Sequence, residues 1–508
     1  MLFKAPIPSL PFIKWVLSSK ENRMLLIMST AISTLVFIWY KFVLYPFPNF
    51  FPDSYEYIAG AIENRLIDYR PIGYSKFLQL VHLLTSSHVF LVAVQYLLLQ
   101  VSLIYFLLTI KYTLQPGKWV FRLLLLSCLL NPIIPHVSNF VSSDPLFTAL
   151  SLTWLTQIIW IIIRPNLRLL ILHGIIVLLA FLVRYNAVYY PFISVLVILF
   201  SQAPVKAKNI SIGLMAILLG SYIGFNQYQF KKVTGIVQFA PFSGWQTLCN
   251  ALVAYYHAPN DPPSSVPVKF RALHAMVNVY KDSLKRTPHS EVIESVPYYM
   301  WGDKSPALKY LGNDLEIYHN SHPEFKRWAT IAPFYAEYGN YLIMQHPDLY
   351  IKHYLVRNLN SYNKPSPEYI GMYNSGLKTI GPEAVKWFQL KTNKITNNNK
   401  TIPLTRVIAY SNGALNLLLA LELIGFLGVG GFKKSNAQSK QIITWLTLIW
   451  VCNMGFSVLA SPIFLRYLTV QIILTFLIEV LFLEFIVREY KTISMHENSI
   501  PNKTTVVV

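Results

Sequence analysis

Long apolar runs limit this chain to very few folds. A helix needs about 20 consecutive apolar residues to cross the hydrocarbon core of a bilayer, where every backbone group must be hydrogen-bonded within the protein. The sequence contains about ten such runs. We therefore predict an all-α polytopic membrane protein with about ten transmembrane helices. The runs lie near residues 24–44, 88–110, 119–136, 145–163, 168–183, 187–201, 210–228, 406–429, 442–461 and 467–487.

The composition favours a lipid-embedded chain over a nucleic-acid-binding one. Of the 508 residues, 13% are charged, whereas soluble domains carry about a quarter charged residues. The net charge of +20 comes from Lys and Arg in short clusters between apolar runs, a pattern that sets membrane orientation. The three cysteines lie far apart, so the sequence predicts neither a disulfide framework nor a Cys-based metal site.

The basic clusters predict the orientation of the helices. Lys and Arg concentrate in short cytoplasmic loops, and placing the N-terminus in the cytoplasm puts every such cluster on that side. An even number of spans then returns the C-terminus to the cytoplasm. No small-residue cleavage site follows the first run, so we expect a retained anchor and a multi-pass protein of the inner (plasma) membrane. The clusters are Lys111/Lys118/Arg122, Arg164/Arg168, Lys206/Lys208, Lys433/Lys434/Lys440 and Arg488/Lys491.

The insertion at 229–405 is predicted to be a mostly helical extracytoplasmic domain, because it has helical stretches and no long alternating strand pattern. Its histidines lack metal-ligand spacing, with His319 and His322 coming closest, and no nucleotide, zinc or hydrolase motif occurs. The predicted organisation has a cytoplasmic N-terminus (1–23), a transmembrane core (24–228) with a first outside loop (45–87), this domain, C-terminal transmembrane helices (406–487) and a cytoplasmic tail (488–508).

Acidic residues lie where apolar runs meet the predicted outside face. Asp53 and Glu56 in PDSYEY follow the first run, and Asp144 in SSDPLF opens the fourth. Each aspartate has a structural alternative, because Asp, Ser and Pro are typical of the first turn of a helix. Two outward-facing carboxylates on separate spans can instead converge on one site. One would deprotonate an acceptor while the other orients that acceptor or a cation.

Three arginines on the predicted outside face supply the opposite charge. Arg184 ends the fifth run, Arg466 precedes the tenth, and Arg70 lies in the first loop. Such arginines can snorkel to the interface, or they can bind a lipid-linked phosphate, which a guanidinium contacts bidentately. The tyrosines nearby fit an interfacial aromatic belt, and a few could line a sugar pocket. The candidate substrate-lining residues are Glu56, Tyr57, Tyr74, Tyr185 and Tyr467.

The order and placement of these motifs resemble the GT-C superfamily of integral membrane glycosyltransferases. The similarity is to the bacterial branch related to glycosyltransferase family 39, the dolichyl-phosphate-mannose protein mannosyltransferase-like proteins. Asp53 in PDSYEY matches the essential Asp after the family's first span, and RPIGYSKFL (70–78) matches the turn that follows. SSDPLF with Asp144 matches a second acidic motif, and Arg466-Tyr467 matches an Arg-Tyr pair before the final core span. Many relatives have two adjacent acidic residues in the second motif, where this chain has one, so a metal role stays open.

The resemblance implies an enzyme that transfers a sugar from a polyprenyl-phosphate donor to an extracytoplasmic acceptor, with inversion. It implies Asp53 as general base, Asp144 as a second catalytic carboxylate, and Arg466, Arg184 and Arg70 as ligands of the donor phosphate. No cofactor is expected, and a divalent metal has no support in the residue pattern. The expected partners are the donor, the acceptor and the bilayer, with no nucleic acid. The alternatives are a polysaccharide polymerase or ligase, a lipid-linked glycan transporter, and a non-enzymatic scaffold.

Overall fold

The structure is a computed structural model that describes residues 3, 6–286, 293, 295–313, 323–371, 373–395, 404–460 and 462–499. These residues form helices, turns and isolated bridges, and no β-strand occurs among them. The chain is therefore helical, as predicted. His319, His322 and residues 500–508 of the predicted tail lie outside the described residues.

The described part of the chain forms α-helices in three groups, with π-helical turns at Trp39–Leu44 and Ile351–Leu355. The first group is α1 (Phe12–Ser18), α2 (Lys20–Ile38), α3 (Pro52–Ile62), α4 (Gly73–His82), α5 (His88–Leu114), α6 (Lys118–Leu129), α7 (Ile133–Asn139), α8 (Asp144–Ile163), α9 (Leu167–Val183), α10 (Tyr190–Phe200) and α11 (Val205–Thr234). The second is α12 (Phe242–Tyr255), α13 (Arg271–Lys285), α14 (Val296–Trp301), α15 (Pro306–Asn313), α16 (Pro323–Gln345), α17 (Pro347–Tyr350), α18 (Val356–Asn363) and α19 (Pro382–Trp387). The third is α20 (Leu404–Gly428), α21 (Gly431–Lys434), α22 (Ala437–Ala460) and α23 (Thr469–Ser499).

Eight helical stretches in the described residues, each 20 to 30 residues long, are apolar enough to cross a membrane. They match eight of the predicted spans and contain α2, α5, α6 with α7, α8, α11, α20, α22 and α23. The predicted spans at 168–183 and 187–201 correspond to shorter apolar helices, α9 with 17 residues and α10 with 11. The chain is therefore a polytopic helical membrane protein.

One end of the helix bundle gathers several of the basic loops. Tyr112 Oη and Arg164 Nη2 both donate to the carbonyl of Pro8, at 2.9 and 2.8 Å. Gly117 N donates to Glu484 Oε1 at 2.8 Å. These contacts join segments that the predicted topology places on one side of the membrane. We term this the basic end, formed by residues 6–10, 111–118, 164, 434–436 and 484–489.

The opposite end of the bundle, termed the loop end, is formed by residues 45–52, 139–144, 184 and 462–466. α8 begins here at Asp144 and is followed at the basic end by Arg164. α9 then runs back to the loop end, since Arg184, the residue directly after α9, pairs there with Asp144. Its 17 residues correspond to about 25 Å at 1.5 Å per residue. α9 therefore connects the two ends although it is shorter than a standard span.

The helices differ in how much of their surface other helices cover. α5, α8 and α23 are mostly buried and form the interior of the bundle. α2, α11, α20 and α22 are mostly exposed, and they expose large apolar side chains such as Ile27, Leu35, Ile217, Leu421 and Ile424. A soluble protein rarely exposes such extended apolar surface, so these four helices are the ones expected to face lipid.

Residues 242–355 form a helical domain with its own apolar core. α12 and α16 cross very closely in it. A Cβ on Gly244 would lie 2.0 Å from the carbonyl oxygen of Ala332, and one on Gly339 would lie 2.8 Å from the backbone nitrogen of Leu248. Because no side chain fits at either position, the crossing requires glycine. It sets the position of Phe242, the first residue of α12, which faces the site described below.

The segment 366–395 packs against the first loop, residues 45–87. Tyr373 Oη donates to the carbonyl of Phe47 at 2.7 Å, and Leu465 N donates to the carbonyl of Ser366 at 2.9 Å. Ile380 and other apolar residues of the segment share a core with α3 and α4. The predicted domain at 229–405 thus consists, in its described residues, of two parts. The second part ties the first loop to the start of the last span.

Candidate active site

Six charged side chains meet at the loop end of the bundle, three carboxylates and three arginines. They come from five separate segments of the chain, so the fold and not local sequence brings them together. Five of the six were candidates from the sequence. We term this group the charge cluster: Asp53, Arg70, Asp144, Arg184, Glu368 and Arg466.

Asp144 lies at the centre of the charge cluster, at the first turn of α8. Its side chain is 1% exposed, and it pairs with Arg184 through one oxygen and with Arg466 Nη1 through the other, at 2.9 Å. Ser142 Oγ also donates to it, at 3.0 Å. With both oxygens engaged, Asp144 is placed to orient the two arginines. Its paired oxygens are poorly placed to accept a proton from a substrate, and its predicted catalytic role stays a prediction.

Arg466 contacts more members of the charge cluster than any other of its arginines. Its Nε donates to Glu368 Oε2 at 2.7 Å, its Nη1 pairs with Asp144, and its Nη2 donates to Tyr467 Oη at 2.7 Å. Its guanidinium also lies over the ring of Phe51, 4.7 Å from the ring centroid. The side chain is 5% exposed. These contacts direct it into the protein, whereas a snorkelling arginine extends to the headgroups.

Asp53 differs from Asp144 in being accessible. It is 15% exposed, and its Oδ1 accepts from Arg70 Nη2 at 2.6 Å. Its Oδ2 lies 3.9 Å from Arg466 Nη2, beyond hydrogen-bond distance. The alternative role as a helix cap falls to Ser54, whose Oγ accepts from the backbone nitrogen of Phe51 at 3.2 Å. One oxygen of Asp53 is therefore available to a substrate hydroxyl.

Glu368 is the member of the charge cluster that the sequence did not reveal. It lies in a 3-10 turn, Glu368–Gly371, inside the segment that packs on the first loop. Its side chain is 17% exposed. Burial raises the pKa of its carboxyl, and the Arg466 guanidinium opposes that shift. No motif or periodicity marks this residue, because its position depends on the backbone pairing of Ser366 with the start of the last span.

The charge cluster opens onto a cavity of about 1070 Å³. Four of the five predicted substrate-lining residues lie on it: Glu56, Tyr57, Tyr185 and Tyr467. Tyr74 does not, and that prediction is corrected. It is fully buried beneath Tyr57, where it donates to Gln95 Oε1 at 2.6 Å. The side of α4 that faces the cavity depends on how the first loop packs, which residue spacing in so short a helix does not fix.

The helical domain supplies the opposite wall of the cavity, which sequence patterns did not predict. This wall is aromatic: Phe242 and Tyr298 line it, and Trp301 is 46% exposed there. Arg70 lies over the ring of Phe242, 5.6 Å from the ring centroid, and so links the charge cluster to this wall. A ligand in the cavity can therefore contact both the charge cluster and the aromatic side chains of the helical domain.

No family model, curated protein or solved structure matches this chain. The function must therefore be argued from the residues and their geometry. Among the described residues, no group of three or more His, Cys, Asp or Glu is placed to hold a metal ion. Each carboxylate of the charge cluster faces an arginine instead. The arrangement can bind an anionic group beside one accessible carboxylate at the loop end of the helix bundle.

Proposed function

We propose that the protein is a membrane glycosyltransferase of the GT-C type. It transfers a sugar from a polyprenyl-phosphate donor to an extracytoplasmic acceptor, which is a glycan, a lipid or a protein. The observation that carries this proposal is the accessible carboxylate of Asp53 beside two arginines, Arg70 and Arg466, on a cavity at the end of a membrane helix bundle. A general base next to a phosphate-binding group is what inverting transfer from a phosphate ester requires.

In the proposed reaction, Asp53 Oδ2 takes the proton of the acceptor hydroxyl as its oxygen bonds to the anomeric carbon. The bond from that carbon to the phosphate oxygen breaks on the opposite face of the sugar, which gives inversion. Polyprenyl phosphate leaves with the electron pair. Arg466 and Arg184 stabilise the growing negative charge, while Asp144 holds both arginines in place. Asp53 then releases its proton to water in the cavity.

The donor and the acceptor approach the site from different phases. A polyprenyl tail stays in the bilayer, so its phosphate lies at headgroup depth, where the loop end of the bundle is expected. The acceptor enters from water, past the aromatic wall of the helical domain. The cavity of about 1070 Å³ is at the upper limit for a typical single-ligand pocket. It therefore has room for a donor sugar and an acceptor together.

The proposed topology has ten crossings, with α9 and α10 included as short spans. The basic end is then cytoplasmic with both termini, and the loop end and the helical domain lie outside the inner membrane. This orientation is supported by the Lys and Arg of the short loops. It also gives α9 the crossing that its contacts at both ends require.

Cysteine labelling tests the orientation. In a Cys452→Ser background, a Val268→Cys protein should react in intact cells with a membrane-impermeant maleimide, because Val268 is exposed on the helical domain. A Lys206→Cys protein, altered in the first turn of α11, should react only after permeabilisation. Cys128 and Cys249 are buried, so they should not react with the maleimide and serve as an internal negative control. Labelling of both positions in the same compartment would contradict the topology.

Transport of a lipid-linked glycan is the second candidate, and one observation favours it. Glu422 in α20 and Glu479 in α23 are buried within apolar helices, and Glu422 has no hydrogen-bond partner among the described residues. Intramembrane carboxylates often mark ion or proton pathways. This candidate ranks second because neither residue lines the large cavity. A polymerase or ligase would use the same site with a lipid-linked oligosaccharide.

An assay with purified protein separates these candidates. Labelled polyprenyl-phosphate sugars and extracted cell-envelope material are incubated with the protein in lipid discs. A transferase releases polyprenyl phosphate and moves the label to a new product, which mass spectrometry of envelope glycans with and without the protein should identify. A transporter leaves the bond between sugar and phosphate intact. Unchanged envelope glycans with no donor cleavage across the common sugars would contradict the proposed function.

A further inference from the structure

The side chains of the charge cluster balance one another in charge. Its three carboxylates and three arginines give a formal sum of zero, and Arg466 is already held by Glu368 and Asp144. Glu368 Oε2 lies 2.7 Å from Arg466 Nε, one prong of the guanidinium fork. A phosphate uses the same fork when it binds an arginine bidentately. A donor phosphate on Arg466 therefore competes with a carboxylate of the protein.

Arg466 is hydrogen-bonded to two carboxylates, and Glu368 is the less firmly held of the two. Asp144 is 1% exposed and is held by two arginines and Ser142. Glu368 is 17% exposed, and its hydrogen bond to Arg466 is the one its side chain makes in the charge cluster. Its backbone has a φ of 45°, a left-handed conformation that costs free energy in a residue other than glycine. The residue whose carboxylate contacts Arg466 thus has a strained backbone conformation.

We propose that Glu368 and the donor phosphate compete for the same side of the Arg466 guanidinium and that the donor phosphate displaces Glu368 when it binds. This inference rests on the proposed function. The exchange replaces one anion by another, so the charge around Arg466 stays balanced with and without donor. It also keeps Arg466 oriented before binding, which lowers the ordering cost of donor capture. After transfer, Glu368 returns to Arg466 and drives polyprenyl phosphate out of the site.

Loss of a side chain from a binding site ordinarily weakens ligand binding. The proposed exchange predicts instead that loss of the Glu368 charge strengthens phosphate binding. Glu368→Gln keeps the shape of the side chain but removes the competing charge. Arg466 is then more available to a phosphate, and a charged hydrogen bond is strong enough to change affinity by about tenfold. Phosphate binding should therefore become about tenfold tighter. In turnover, the KM for donor and kcat should both fall, because product release becomes slower. A merely structural Glu368 predicts weaker or unchanged binding.

The test measures binding of farnesyl phosphate, a short polyprenyl phosphate, to the full-length protein in lipid discs. Farnesol, which has the same tail and no phosphate, corrects for hydrophobic binding. Glu383→Gln is the matched control, because Glu383 is exposed on the same segment and its loss changes the net charge equally. Glu368→Ser serves as a second variant if Glu368→Gln folds poorly, as judged by its thermal midpoint.

The expected result is about tenfold tighter farnesyl phosphate binding by Glu368→Gln and Glu368→Ser, with wild type and Glu383→Gln equal. Equal or weaker binding by both Glu368 variants overturns the inference. If that result comes with a loss of binding in Arg466→Ala, the proposed phosphate site stands and only the role of Glu368 fails. If wild type binds farnesyl phosphate no better than farnesol, the proposed donor site fails, and the inference fails with it.

Discussion

Asp53→Asn should lower turnover by about 10²- to 10⁴-fold, the range expected when a general base is removed. The asparagine amide has the volume of the carboxylate. In the wild type, Arg70 Nη2 donates to Asp53 Oδ1 at 2.6 Å, and the amide oxygen can still accept this hydrogen bond. The loop should therefore keep its conformation, and the amount of folded protein should stay near that of wild type. Donor binding should change little, because the phosphate ligands remain. The measurement is the transfer rate per folded molecule, with the donor at saturation.

The matched control for this variant is Glu63→Gln, which removes a carboxylate from the same loop. Glu63 is 51% exposed and pairs with Arg65 away from the charge cluster, so its loss should leave turnover unchanged. An active Asp53→Asn protein would show that another carboxylate acts as base. Glu368 would be the first to examine, since its side chain is as accessible to the cavity as that of Asp53.

Arg466→Ala should lower turnover by about a hundredfold or more, the typical loss when one stabilising donor is removed from a developing negative charge. Arg466→Lys should fall between wild type and Arg466→Ala, because lysine keeps the charge but loses the two-pronged geometry. The Km for donor should rise in both variants. Asp144 retains Arg184 as a partner, so its buried charge is not left alone. Rates per folded molecule with a polyprenyl-phosphate sugar measure the effect.

Arg488→Ala is the matched control for Arg466, on the same final helix at the basic end. It pairs with Glu484 and lies far from the charge cluster along α23, so turnover should match that of wild type. A simple interfacial anchor at position 466 would behave differently. Lysine would then replace arginine freely, and alanine would reduce protein amount without reducing the rate per molecule. That pattern would remove Arg466 from the site.

The apolar runs predicted most of the fold because lipid imposes a length requirement that sequence records directly. Eight runs became long helices, and the last of them, α23, continues to Ser499, beyond its predicted end at 487. The runs at 168–183 and 187–201 became shorter helices, since contacts at their ends, such as Arg184 with Asp144, decide where they stop. The two-part structure of 229–405 left no mark on the sequence, because polar helices and loops carry no comparable constraint.

The charge cluster was partly predictable for a related reason. Asp53, Asp144, Arg184 and Arg466 all stand at predicted ends of spans on one side, and a compact bundle brings such ends together. Glu368 stands at no span end, and a backbone pairing with the last span places it. The difference in accessibility between Asp53 and Asp144 was also beyond the sequence. It depends on which carboxylate has both oxygens engaged, a property of three-dimensional packing.

The chain order of the charge cluster has a consequence for biogenesis. Each carboxylate precedes its arginine: Asp53 comes before Arg70, Asp144 before Arg184, and Glu368 before Arg466. A chain made from its N-terminus thus never carries more than one unbalanced charge of this group. Each arginine of the charge cluster therefore enters the membrane after its carboxylate. This order avoids an unpaired arginine in lipid, which is energetically unfavourable. The last pair closes only when the final helix inserts. A chain that ends with α22 therefore lacks Arg466 and with it the arginine that contacts both Asp144 and Glu368.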